Sequence, residues 1–139
     1  MKYNIILIEN DLAKLFPNNP FNLKKDFKSI GIRHKDIIIQ ELAEELRKGF
    51  NRKECSKLYY IKTNDVYVVL AKIRIKLDDK GKKTSLRCIL IIDENNNLYL
   101  VLHIYEKKNK SNISKFELNS AKKLFDFYYN ELIKEYRNE

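Results

Sequence analysis

The stretch between residues 66 and 106 constrains the fold more than any other part of the chain. Val66–Leu77 (VYVVLAKIRIKL) alternates with a period of two. Its odd positions are Tyr67, Val69, Ala71, Ile73, Ile75 and Leu77, and its even positions end in Lys72, Arg74 and Lys76. Successive side chains of a strand point to opposite faces, so the odd set predicts a buried face and the even set a row of cations. Leu86–Ile92 (LRCILII) is apolar on both faces except at Arg87, the pattern of a central strand. Leu98–Glu106 (LYLVLHIYE) follows an acidic, Asn-rich turn, DENNN, and its even positions Leu98, Leu100, Leu102 and Ile104 predict the core face. The polar DDKGKKTS (Asp78–Ser85) predicts a loop between the first two strands.

The flanking segments supply helices and shorter strands. Tyr3–Ile8 (YNIILI) predicts a strand. FPNNP (Phe16–Pro20) and SIG (Ser29–Gly31) are turn-rich, and FNLKKDFKS between them has the spacing of a short helix. Asn19 is its expected cap, with Pro20 at the first helical position. In DIIIQELAEELRKG, Ile38, Ile39, Leu42, Ala43 and Leu46 recur at helical spacing; Asp36 suits the start, Arg47 and Lys48 the last turn, and Gly49 the stop. A basic connector, FNRKECSK, leads to a short strand at Leu58–Lys62. Ser114 and Glu117 have the spacing of a capping box, and Leu118, Ala121, Phe125, Tyr128 and Leu132 give the last helix its apolar stripe. The order predicts one α+β domain over residues 1–139: a small antiparallel sheet with two N-terminal helices and one C-terminal helix, the helices on one face.

Several function classes fall away. No run of about 18 apolar residues exists, so no membrane partner is expected. The N-terminal MKYNIILIENDL lacks a small-residue cleavage site. Cys55 and Cys88, with no metal-type spacing, fit a reducing, cytoplasmic setting. Cys55 stands beside Lys53 and Lys57 with no His near it in sequence, which leaves it without the base a catalytic thiol needs. His34 sits in GIRHKD as a solvated loop residue, and Tyr128–Tyr129 suits helix packing. No Gly-rich phosphate loop and no metal-ligand spacing is present, so neither cofactor nor metal is expected. The formal net charge is +9, which favours an anionic partner. Lysine, asparagine and isoleucine crowd the chain as A/T-rich codons would produce, so the arginines carry more weight than the lysines.

Register decides which face the cations share. With DENNN as a five-residue loop, Ile92 pairs with Leu98 and Arg87 lies opposite His103. Lys72, Arg74, Lys76, Arg87, His103, Tyr105 and Lys107 then share the face away from the helices, suited to phosphates and stacked bases. The plain alternative is a solvated sheet face carrying lysine and arginine for solubility. Arg87 weighs against it, because a guanidinium among apolar residues on a central strand is costly unless an anion meets it.

From Val66 to about Tyr129 the pattern resembles the RelE/ParE superfamily of bacterial toxin–antitoxin systems, in its HigB-like branch. The resemblance lies in AKIRI with Arg74, SLRCILII with Arg87, LHIYEKKNK with Tyr105, Lys107 and Lys108, and FELNSAKKLFDFY with Glu117 and Ala121. Two features differ: Ile113 and Ser114 stand where the family often has Pro before the last helix, and Lys72 where Glu is common.

The resemblance implies a RelE-like fold and a cytoplasmic endoribonuclease toxin that cleaves mRNA, commonly on the ribosome, until a cognate antitoxin binds it. On that reading Arg87, Lys107, Lys108, Tyr105 and His103 are the catalytic candidates, and Lys72, Arg74 and Lys76 hold RNA. The RNA's own 2′-hydroxyl would attack the adjacent phosphate, with Arg87 and Arg74 as clamps, Lys107 or Lys108 as base and Tyr105 or His103 as proton donor, with no metal. Two alternatives stay open: a toxin that poisons DNA gyrase, and a basic module that binds RNA or protein without cutting.

Overall fold

A computed structural model describes residues 4–8, 18–31, 35–49, 53–62, 67–79, 82–110 and 112–130. Of the expectations above, Tyr3, Phe16, Pro17, His34, Val66 and Leu132 lie outside the described residues. The elements run β1 (Asn4–Leu7), α1 (Leu23–Ile30), α2 (Lys35–Arg47), β2 (Cys55–Lys62), β3 (Tyr67–Asp79), β4 (Lys82–Asp93), β5 (Leu98–Glu106) and α3 (Lys115–Tyr128). The five strands form one sheet in the order β1-β5-β4-β3-β2.

The expected α+β class holds, with two differences from the expected arrangement. First, the sheet is mixed. β2 to β5 are an antiparallel meander, but β1 joins β5 in parallel, from Asn4 opposite Leu98 to Leu7 opposite Val101. β1 and β2 lie at opposite edges, so α1 and α2 carry the chain across the sheet between them.

Second, the helices divide between the faces. Leu23 and Phe27 of α1 and Ile38, Leu42 and Leu46 of α2 pack with Val69, Ala71, Ile73, Ile75, Leu77, Cys88 and Leu90. Ala121, Leu124, Phe125 and Tyr128 of α3 pack on the other side with Val68, Leu70, Ile89, Ile91, Leu98, Leu100 and Leu102. The physical reason is β4, whose side chains from Cys88 to Ile92 are buried in both directions. A strand apolar on both faces demands cover on both.

Local chemistry explains the smaller departures. The cap of α1 is Asn22, whose Oδ1 accepts from Lys25 N at 3.1 Å. Asn19 instead folds onto Phe21, accepting from its amide at 3.0 Å. Most of the expected loop at residues 78–85 is strand, since Asp78 pairs with Lys83 and Asp79 with Lys82. The β4–β5 turn is a 3-10 turn at Glu94–Asn96 closed by Asn97 in the left-handed region, φ 55°. Asn reaches that region more readily than most residues. The capping box of α3 forms as expected, with Glu117 N on Ser114 Oγ at 3.1 Å and Ser114 N on Glu117 Oε1 at 2.9 Å.

Register differs from expectation twice. Asp93 pairs with Leu98 and Ile92 with Tyr99, a one-residue shift. A bulge then intervenes, because Leu90 pairs with Val101 but Ile89 with His103, leaving Leu102 as the extra residue. The two shifts restore the parity of the outer half of β5. Arg87 therefore faces Tyr105 rather than His103.

Candidate functional site

The α3 side of the sheet has an apolar half and a polar half, and Ile89, Arg87, His103 and Tyr105 of the polar half are buried as well. Under α3 the three strands supply Leu70, Ile91 and Leu100. Beyond the start of α3 they supply, row by row, Lys72, Ile89 and His103, then Arg74, Arg87 and Tyr105. In the next row Lys76 pairs with Ser85, whose carbonyl accepts the Lys107 amide at 3.0 Å. The structure thus brings Lys72, Arg74, Lys76, Arg87, His103 and Tyr105 onto one strand face, as expected, but that face is the one α3 packs against and not one away from the helices. Lys108 goes elsewhere, to an ion pair with Glu106 at 3.5 Å. Glu106 pairs with Leu86, a residue of the α1–α2 core, so this pair belongs to the opposite strand face from Arg87. An open cleft of about 390 Å³ at the end of β5 is lined by Lys83, Thr84, Ser85, Glu106, Lys107 and Lys108.

Arg87 is 5% exposed. Its Nη1 donates to Ser85 Oγ at 2.9 Å and to the Leu86 carbonyl at 3.1 Å. Among the described residues no carboxylate pairs with it, and its cross-strand neighbour is a second arginine, Arg74. Like charges placed directly opposite destabilise a sheet. Burial first, and the Arg74 charge second, lower the Arg87 pKa against an opposing contribution from Tyr105; a guanidinium nevertheless stays charged at neutral pH. Burial, then the charges of Arg87 and Arg74, pull the Lys72 ammonium below its usual range. Lys72 Nζ donates to Asn112 Oδ1 at 3.3 Å.

Tyr105 is buried, and among the described residues its hydroxyl has no hydrogen-bond partner. Burial raises its pKa; Arg87 works against the rise and Glu117 adds to it. Its ring stacks on His103 at 5.2 Å, and Lys110 Nζ lies over it at 5.0 Å. His103 is held at both nitrogens. Nδ1 is 2.8 Å from Asp26 Oδ2 and Nε2 is 3.2 Å from Lys110 Nζ. Lys110 also donates to Glu117 Oε2. Burial would raise the Glu117 carboxyl, but the Lys110 and Ser114 bonds outweigh it and hold it below the usual range.

Sequence reasoning missed Asp26, Lys110 and Ser85 as neighbours of the site. Asp26 stands in KKDFK, where it has the look of a solvated helix charge. The Ser114–Glu117 capping box was the one available signal for this corner, because it places the start of α3.

A family profile described as RelE toxin of RelE / RelB toxin-antitoxin system matches residues 62–135, more than half of the chain. The chain belongs to that family. Family membership makes it a toxin of a toxin–antitoxin system and implies an antitoxin partner. No curated relative and no solved structure matches the chain. The matched segment holds β3, β4, β5 and α3, and with them every site residue named above except Asp26. Among the described residues no helix is long and apolar enough to cross a membrane.

Proposed function

We propose that this RelE-family toxin is an endoribonuclease that cuts mRNA, in the ribosome, by attack of the RNA's 2′-hydroxyl on its own adjacent phosphate. The observation that carries the reading is the row Arg74–Arg87–Tyr105 on the polar half of the sheet face. It pairs a carboxylate-free, nearly buried guanidinium with a phenol whose hydroxyl has no partner among the described residues. An anion set against Arg87 and Arg74 would offset both the burial of one charge and the repulsion between the two. Arginine fits a phosphate bidentately.

The chemistry needs an acid and a base with pKa values moved apart. Lys72 is lowered and Tyr105 is raised, on either side of Arg87. Lys72 takes the 2′-hydroxyl proton and the 2′-oxygen bonds to phosphorus. Arg87 and Arg74 hold the charge that builds on the phosphorane. The bond to the 5′-oxygen breaks, and Tyr105 gives that oxygen its proton. The products are a 2′,3′-cyclic phosphate and a 5′-hydroxyl, and every step is assigned to a side chain, so the reaction asks for no metal. This reading gives Lys72 the base role that the sequence placed on Lys107 or Lys108. It leaves Lys76 and Lys107, one row further out, to hold flanking phosphates.

The test is an RNA carrying a single 2′-deoxy nucleotide at the cut site, presented with ribosomes. Cleavage is expected to stop there and to continue in the all-ribose control. Continued cutting at the deoxy position would rule out the 2′-hydroxyl as nucleophile. Complete lack of cutting in either RNA, with gyrase inhibited or RNA merely bound, would move the chain to the non-nuclease readings.

A further inference from the structure

We propose that Asp26, in the N-terminal helix and outside the family-matched segment, is a positioning residue for Tyr105, acting through His103. The inference rests on the nuclease reading for its consequence, though not for its geometry.

Asp26 lies on α1, between the buried Leu23 and Phe27. Its Oδ2 receives two donors. Ile104 N donates at 3.1 Å, and His103 Nδ1 lies at 2.8 Å. β1 has its last backbone bond to β5 at Val101, through Ile8 N at 3.1 Å. Among the described residues no strand pairs with β5 beyond that point, and Asp26 accepts from its backbone at Ile104. The bulge at Leu102 brings the imidazole of His103 within reach of the same oxygen. Without the bulge, the pairing of Leu100 with Ile91 would carry His103 to the opposite face.

The partners assign the imidazole's tautomer. Asp26 as acceptor puts the proton on Nδ1. Nε2 is then a lone pair facing the Lys110 ammonium at 3.2 Å. Lys110 is pinned from the far side by Glu117, whose Oε2 is itself 3.7 Å from His103 Nε2. Asp26, Lys110 and Glu117 are the charged groups that face this imidazole, and Phe21 closes its remaining side at 5.1 Å. The result is a clamp on Tyr105, with the imidazole stacked on the ring and the ammonium over it. The clamp grips the ring and leaves the hydroxyl unpaired. Removing the carboxylate leaves His103 to choose either tautomer, and an Nε2–H would turn a donor toward the Lys110 ammonium. In metal sites the partners that orient a ligating histidine contribute about 10–100-fold, and an effect on the same scale is expected here.

The test compares Asp26→Asn, Asp26→Ala and Asp26→Glu in the full chain, with two readouts. Nitrogen-resolved NMR of the histidines reports the His103 tautomer without any need for activity. In the parent it is expected to show the Nδ1–H form, and in Asp26→Asn a loss of that preference. Ribosome-dependent cleavage is expected to lose about 10–100-fold in kcat in Asp26→Asn, with KM little changed, and to recover in part in Asp26→Glu. A purely structural role would lower the amount of folded protein and would not split kcat from KM. A parent imidazole protonated at Nε2, or an Asp26→Asn variant with parental kcat, would overturn the inference. If Asp26→Ala fails to fold, the isosteric Asn variant still decides. If the parent cuts no RNA, the nuclease reading falls alone, and the NMR arm decides the geometry by itself.

Discussion

The two halves of the sheet face beneath and beyond α3 are built from the same three strands, yet they follow opposite rules. Beneath the helix, Val68, Leu70, Ile91, Leu98 and Leu100 are buried apolar residues in one cluster with Ala121, Leu124, Phe125 and Tyr128. Beyond it, the same face holds Lys72, Arg74, Arg87, His103 and Tyr105. The border is marked by the segment leading into α3, where Asn112 accepts from Lys72 and Glu117 accepts from Lys110. One half lowers the free energy of the fold by removing apolar surface from water. The other half sets Arg87 opposite Arg74 with no carboxylate paired to Arg87 among the described residues, which raises it. A sheet that tolerates the second half has a use for it, and stability and activity should therefore respond to mutation in opposite halves.

The sharpest way to break this contrast is to empty the apolar half. Phe125 is fully buried, with Tyr59 edge-on at 5.1 Å and Tyr129 stacked at 6.4 Å. Phe125→Ala is expected to cost about 3–5 kcal/mol of unfolding free energy, read by urea denaturation. A loss below 1 kcal/mol would mean that α3 is not held by this cluster.

The polar half should answer the other way. Arg87→Ala is expected to lower cleavage by about 10²–10³-fold, the usual loss for one oxyanion donor. Arg87→Met, which keeps the stem, is expected to be at least as stable as the parent, because it removes a desolvated charge facing Arg74. A Met variant clearly less stable than the parent would show that Arg87 serves the fold.

How much of this division the sequence carries can be traced residue by residue. The alternation of β3 survives intact, because a thirteen-residue strand in the sheet interior has no freedom to slip. The cations at Lys72, Arg74 and Arg87 were therefore legible. The bulge at Leu102 was not, since LYLVLHIYE alternates without a glycine or proline to mark it. The side chosen by α3 was also hidden: an amphipathic stripe requires a face to bury but does not name one. Asp26 was hidden because its partner lies 77 residues away across a fold that only the assembled sheet defines.

A smaller effect separates hydroxyl from ring within the polar half. Tyr105→Phe keeps the stacked ring on His103 and removes a buried hydroxyl with no partner among the described residues. Cleavage is expected to fall by roughly 10²-fold, as for loss of a general acid, while stability stays level or rises slightly. Parental cleavage in this variant would reassign the proton donor.

The smallest expected effect tests whether stability and rate meet in a single titration. Lys72 is held below its ordinary 10.5 by burial and by Arg87 and Arg74. Below its folded pKa the side chain is protonated in both folded and unfolded chains, and the penalty for burying that charge is constant. Between the folded pKa and the unfolded value, the unfolded chain binds more protons, so stability rises with pH. Above both values the penalty is gone. Lys72→Met should accordingly be more stable than the parent at neutral pH, and the difference should shrink as pH climbs through that window. Tyr105, raised by burial, acts in the opposite direction above its ordinary 10.0, but it is present in both proteins and cancels from their difference. As a general base, Lys72 must lose its proton before it can take one, so the parent's cleavage rate should climb through the same lowered pKa. Urea melts of the pair across pH yield one value, and single-turnover cleavage yields another. Agreement between them ties the base to Lys72, whereas a rate limb at a different pH would assign that proton to another group.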